Sequence, residues 1–144
     1  MDSDSTTLLY IDNILNVFLE NDILTIKLLG ECFTDEIINQ MFDVIELFYN
    51  ICKKTNKKFH TIYDFVDCKI KNLPNYFYYI SYITNFLKKH TEFYKIHLIN
   101  TLIITKTELG KKLCNSVLIN YNPTRPIKFI TPNDPIDFNF DFDL

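Results

Sequence analysis

The stretch TDEIINQMFDVIELFYNICKK, residues 34–54, followed by FHTIYDFV, residues 59–66, decides the fold class. Apolar residues in the first segment recur every three or four positions, which predicts a helix with one buried stripe. The members of that stripe are Ile37, Met41, Val44, Ile45, Phe48 and Cys52. Thr34 suits the N-cap position. The aromatic and β-branched second segment predicts a strand, so helix and strand alternate here, as in α/β proteins.

Working outward, the same patterns predict six further elements. Two apolar segments around the acidic turn Glu20-Asn21-Asp22 predict a leading hairpin. The predicted elements are strands at 14–19, 23–29, 99–105 and 126–130, and helices at 74–90 and after Thr107, which is the predicted N-cap of the last helix. In the helix at 74–90, the residues predicted to face inward are Phe77, Ile80, Ile83, Phe86 and Leu87. The resulting β-β-α-β-α-β-α-β order predicts one mixed, mostly parallel sheet with helices.

Composition limits the classes of protein to consider. The chain has 144 residues, 47% of them hydrophobic, and a net charge of −3, which predicts one globular domain. Arg125 is the only arginine, which argues against nucleic-acid binding. The acidic N-terminus is unlike a signal peptide and no segment has the apolar length of a membrane span, so we expect a cytoplasmic protein. The abundance of Ile, Asn, Lys, Phe and Tyr is typical of an AT-rich genome, such as that of a large DNA virus or a parasite.

The composition changes near the C-terminus. We expect an α/β domain at residues 10–131 and an acidic-aromatic tail at 132–144, which has two prolines, no basic residue and alternating acidic and aromatic positions. This alternation is typical of a docking motif for a protein partner, carried by Phe138, Phe140 and Phe142. It is equally typical of a folded edge strand with the phenylalanines facing inward.

The element order, with Gly30-Glu31 ending the second strand, resembles the SpoIIAA-like fold shared by STAS domains and CRAL-TRIO lipid-transfer domains. Antagonist-type STAS domains place a phosphorylatable serine after the third strand. The corresponding segment here, 66–74, contains neither serine nor threonine, so the resemblance does not extend to a phosphorylation switch. The similarity to CRAL-TRIO domains lies in Tyr63-Asp64, in the segment 93–100 and in the strand at 125–130.

Two functions from different classes follow. The first is a non-enzymatic STAS-like domain that binds a protein partner or itself through exposed aromatic residues, with Tyr78, Tyr79 and Tyr82 as candidates beside the tail. The alternative is a CRAL-TRIO-like module that holds a lipid or another apolar ligand. The residues proposed to line its pocket are Asp64, Phe65, Asp67, Phe77 and Tyr94.

No pattern in the sequence indicates an enzyme, a metal or a cofactor. The four cysteines form no C-x-x-C pair, and the two glycines cannot build a phosphate-binding loop. Carboxylates such as Asp64, Asp67 and Glu108 are expected near the ends of strands, where they could hold Mg²⁺, but acidic residues also favour helix N-termini without any ligand.

Overall fold

The computed structural model describes residues 6–31, 33–69 and 73–141, and the side chains of residues 73–75 are outside that description. Within these ranges the chain forms one six-stranded sheet and four helices. The strands are β1 (Thr6–Ile11), β2 (Leu15–Glu20), β3 (Ile23–Leu28), β4 (Phe59–Asp64), β5 (Leu98–Ile104) and β6 (Ile127–Ile130). The helices are α1 (Asp35–Thr55), α2 (Leu73–Lys89), α3 (Thr91–His97) and α4 (Glu108–Tyr121).

The strands lie in the sheet in the same order as in the chain. The first two neighbouring pairs, β1–β2 and β2–β3, are antiparallel, whereas β3 to β6 pair in parallel. The sheet is therefore mixed, with its antiparallel part at the start. The predicted hairpin is β2–β3, and its turn residues Asn21 and Asp22 both have positive φ, the conformation that a two-residue hairpin requires.

Helix α1 shows why local sequence specifies these elements. The Thr34 hydroxyl accepts a hydrogen bond from the Ile37 amide at 3.2 Å, Asp35 lies in the first turn, and Lys53 and Lys54 lie in the last. The cap satisfies a free amide and the charges complement the helix dipole. Members of the predicted stripe from Met41 to Cys52 are buried, and Ile37 is partly buried.

The expected element order is incomplete in two places. Strand β1 precedes the hairpin, and its mostly exposed edge position gives it little hydrophobic alternation. Helix α3 replaces a predicted link between α2 and β5. It has only seven residues and buries Phe93, Tyr94 and His97. A helix of two turns is too short to produce a clear periodic signal.

Helices and tail cover opposite faces of the sheet. Alternate strand residues such as Leu24, Ile26 and Phe59 pack against the four helices and form the larger core. On the other face, Ile62, Leu102, Ile104 and Ile130 form a smaller cluster that contacts Phe138 and Phe140 of the tail. Sequential strand order is consistent with this arrangement, because crossovers of one hand that advance in one direction place all their helices on one face.

Candidate functional site

A cavity of about 160 Å³ lies between the helix-bearing face of the sheet and helices α1, α2 and α4. Most of its wall is apolar. Examples of the apolar lining residues are Met41 and Ile45 of α1, Ile83 of α2, Ile103 of β5 and Val117 of α4. The cavity reaches from residues near the start of β5 to residues beyond its end, since both Leu98 and Thr107 contact it. Concave, largely apolar spaces of this kind are typical of small-molecule sites.

Six tyrosines contribute to the wall of this cavity. Four of them interact with one another: Tyr49 of α1, Tyr63 of β4, Tyr94 of α3 and Tyr121 at the end of α4. The hydroxyls of Tyr49 and Tyr94 are 3.0 Å apart and hydrogen-bonded. The rings of this pair meet edge to face at 5.6 Å, and Tyr94 and Tyr121 meet similarly at 6.3 Å. We call these four residues the tyrosine cluster. It adds hydroxyls to a mostly apolar wall.

The tyrosine cluster is uncharged at neutral pH. Burial, followed by the proximity of Tyr94 and Tyr63, holds the pKa of Tyr49 well above its ordinary value. Burial likewise raises the pKa of Tyr63 and Tyr94, and it raises the pKa of Tyr121 to about 12. A phenolate in this space would lose its hydration without gaining a cation, so the neutral hydroxyl is strongly favoured.

Two basic side chains also contact the cavity, Lys106 and Arg125. Lys106 is exposed, and Arg125 is partly buried and donates its Nε–H to the Ile99 carbonyl at 3.2 Å. Among the described residues no carboxylate forms an ion pair with Arg125. The cavity therefore combines an apolar wall, buried hydroxyls and a partly buried guanidinium.

Of the five residues predicted to form a pocket, Phe65 and Tyr94 line the cavity, and Asp64, Asp67 and Phe77 do not. Asp64 lies on the opposite face of the sheet because it follows Tyr63 in the strand alternation, and its carboxylate accepts the Val66 amide at 3.0 Å. Asp67 is exposed and lies 3.8 Å from the Lys27 ammonium.

The inward orientation predicted for Phe77 is wrong, since this side chain is 68% exposed. The buried stripe of α2 instead includes Tyr76, Tyr79, Ile80 and Phe86. Either Tyr76 or Phe77 has helical spacing to the other residues of the stripe, which are Ile80, Ile83, Phe86 and Leu87. Only packing against α1 and α4 decides which of the two side chains faces inward.

The predicted partner-binding residues are distributed over three environments. Tyr78 is 55% exposed, whereas Tyr79 is buried and donates its hydroxyl to Asp35 at 3.0 Å. Tyr82 is partly buried and donates to Asn39. These two hydrogen bonds attach α2 to the start of α1. Phe138 and Phe140 are partly buried on the sheet, and Phe142 lies outside the described residues.

The tail crosses the sheet without forming a strand in its described part, up to Asp141. The Asn100 amide donates to the Phe138 carbonyl at 2.7 Å, and the Asn100 carbonyl oxygen lies 2.7 Å from His60 Nδ1. Because an amide oxygen only accepts, His60 Nδ1 is the donor of this bond. The His60 and Phe138 rings are also in contact at 4.3 Å. The tail is thus held by side chains from two strands.

Two of the described cysteines, Cys52 and Cys114, are not activated as nucleophiles. Burial raises the pKa of Cys52 to about 11 and that of Cys114 to about 12, so both remain thiols at neutral pH. Cys32 lies outside the described residues. The described ranges contain no group of three His, Cys, Asp or Glu side chains with the geometry to hold a metal ion.

No family model matches the sequence, and neither a curated protein nor a solved structure matches it. The resemblance to STAS and CRAL-TRIO domains stays a prediction. In the part of the chain that the structure describes, none of the helices has the length and apolar content to cross a bilayer.

No pattern in the sequence predicts that Tyr49, Tyr63 and Tyr121 form a group. Tyr63 and Tyr121 are 58 positions apart in the chain, so no local spacing connects them. The only signal was that Tyr49 follows Phe48 of the buried stripe and Tyr63 alternates with Ile62. Each pattern indicates burial of a ring, but neither indicates that the hydroxyls converge.

Proposed function

We propose that this protein is a non-enzymatic binding module for a small apolar ligand, which it holds between the sheet and helices α2 and α4. The observation that carries the proposal is the cavity of about 160 Å³ with its apolar wall and tyrosine cluster. A cavity of about 150 Å³ lined by apolar side chains is known to hold benzene. The present space therefore accommodates one ring or a short chain. A complete lipid would require more volume. Of the lipids and other apolar ligands that the CRAL-TRIO resemblance implies, the cavity therefore has room only for small ones.

The test is the binding of toluene to the full chain, measured by the shift of the thermal unfolding temperature and by ligand-observed NMR. A ligand that binds only the folded state raises that temperature in proportion to RT ln(1 + [L]/Kd). We expect a concentration-dependent rise for the unmodified protein.

A matched pair of variants makes the result specific to the cavity. Cys114→Phe places a ring in the cavity, because Cys114 lines it, and should reduce toluene affinity at least about tenfold by excluding the ligand. Asn115→Phe adds the same ring at the next, exposed position of α4 and should leave binding unchanged. Equal toluene affinity in the unmodified protein and in the Cys114→Phe variant would contradict the proposal.

A protein-binding function is the second candidate, and Phe77 and Tyr78 favour it. They are adjacent on α2 and 68% and 55% exposed, and exposed aromatic residues are enriched at protein interfaces. If this pair mediates self-association, native mass spectrometry should detect an oligomer that the double variant Phe77→Ser, Tyr78→Ser converts to monomer. A monomer before and after substitution would exclude self-association through this pair.

A further inference from the structure

The hydroxyl pair of Tyr49 and Tyr94 has hydrogen-bonding capacity beyond its internal bond. Both residues are almost fully buried, at 2% and 3% exposure, and their oxygens are 3.0 Å apart. Each phenol has one proton and two lone pairs. An open chain of hydroxyls always has one proton more than it has internal bonds, so the chain that includes this pair has one proton left for an acceptor outside it. Tyr63, whose phenol also interacts with Tyr49, lengthens the chain without removing that proton, and the pair keeps unused lone pairs.

The surroundings of the pair select against a charged group. An anion placed beside Tyr49 and Tyr94 would be buried among apolar rings, where an unpaired charge is strongly disfavoured. Phe59, Phe86 and Phe93 surround Tyr49, with ring centroids 5.9, 6.5 and 4.4 Å from its own. The His90 ring lies 5.1 Å from Tyr49, and burial lowers the pKa of this imidazole, which favours its neutral form. The Arg125 guanidinium is less buried and already donates to a carbonyl. A neutral polar group on a bound ligand therefore finds its best hydrogen-bonding partners in the hydroxyl pair.

We infer that the ligand is an uncharged molecule of one ring that carries a hydroxyl or carbonyl group, and that this group hydrogen-bonds to the Tyr49 and Tyr94 hydroxyls. This inference rests on the proposed function, since it requires that the cavity bind a ligand. The size of the cavity limits the ring count, and the hydroxyl pair determines the polar group. Phenol is the simplest representative of this class.

The experiment compares toluene, phenol and benzoate, measured by ligand-observed NMR on the full chain. Toluene and phenol have the same shape and differ in one methyl or hydroxyl group. A cavity without a hydrogen-bonding partner prefers toluene, because the phenol hydroxyl would lose its hydration. We expect the opposite order, with phenol about threefold to tenfold tighter than toluene, the ratio expected for one hydrogen bond, and benzoate weaker than both.

Two conservative variants test the assignment. Tyr94→Phe and Tyr49→Phe each remove one hydroxyl and keep the ring, so each should reduce the preference for phenol. The double variant should abolish this preference while toluene binding changes less than about twofold. Tyr78→Phe removes an exposed hydroxyl and serves as the matched control, with the preference retained.

The outcomes separate the two proposals. If none of the three compounds binds, both the proposed function and this inference fail. If toluene binds and phenol does not bind more tightly, or if the preference survives in the double variant, the inference fails and the apolar cavity remains. Tightest binding of benzoate overturns the inference in favour of a site at Arg125. The comparison of toluene with phenol in the unmodified protein decides the question even if a variant does not fold.

Discussion

At the scale of single residues, burial keeps the phenols of the tyrosine cluster protonated. Tyr49, Tyr63, Tyr94 and Tyr121 all have raised pKa values, with burial as the largest cause. In the unfolded chain these phenols lose their protons near pH 10. Between that pH and the higher folded-state values, the unfolded state binds fewer protons than the folded state. The contribution of these buried phenols to the free energy of unfolding is therefore complete below about pH 10. It is lost as pH rises through their folded-state pKa values.

We predict that the free energy of unfolding falls as pH rises above about 10 and that Tyr121→Phe reduces the fall. The buried thiols Cys52 and Cys114 act in the same direction because their pKa values are also raised, so the tyrosine share is isolated by comparing variants. The measurement is urea unfolding at pH 8, 9.5 and 10.5. Tyr78→Phe, which removes an exposed phenol, is the control. An equal fall in the protein and in Tyr121→Phe would contradict the role assigned to Tyr121.

At the scale of elements, helix ends are the features most directly specified by local sequence. Thr34 and Thr107 cap α1 and α4, and each hydroxyl accepts an amide three residues later, at 3.2 and 3.0 Å. Helix α1 ends at Asn56, which adopts the left-handed conformation and donates its amide to Cys52. These contacts involve residues within five positions of each other, so they are predictable from sequence. The start of α3 at His90 lacks a side-chain cap, and this helix was missed.

We predict that Thr34→Ala lowers the free energy of unfolding by about 1 kcal/mol, because the Ile37 amide loses its partner. Thr34→Ser keeps the hydroxyl and should retain most of the stability. Chemical denaturation of the three proteins measures the difference. Equal loss in the alanine and serine variants would mean that the methyl group of Thr34, and not its hydroxyl, stabilises the start of α1.

At the scale of the whole molecule, the tail covers the face of the sheet that has no helices. Phe138 and Phe140 pack on Ile62, Leu102, Ile104 and Ile130. The Asn100 side chain, only 2% exposed, donates to the Phe138 carbonyl. Both of the roles predicted for the tail, docking motif and edge strand, assumed that it lies beside or away from the sheet. In the structure its described part lies across the sheet face, so a partner that bound Phe138 or Phe140 would first have to detach them.

We predict that the double variant Phe138→Ala, Phe140→Ala lowers the free energy of unfolding by about 1–3 kcal/mol, since two partly buried rings lose apolar contact. It should also increase the fluorescence of the dye ANS, which binds newly exposed apolar surface. Ile136→Ala is the control, because Ile136 lies in the same segment and is half exposed. Unchanged stability and ANS fluorescence in the double variant would show that the tail does not cover the sheet in solution.

The sequence by itself determined the α/β class, the β2–β3 hairpin, the limits of α1 within one residue and the cap residues of α1 and α4. These features depend on periodicity and hydrogen bonds between residues close in the chain, which composition and spacing record directly. Only the tertiary structure decided that Tyr76 and not Phe77 faces inward, that four distant tyrosines share a cavity, and that the tail lies across the sheet. Each of these depends on contacts between elements far apart in sequence, where the partner of a side chain is set by how the elements pack together.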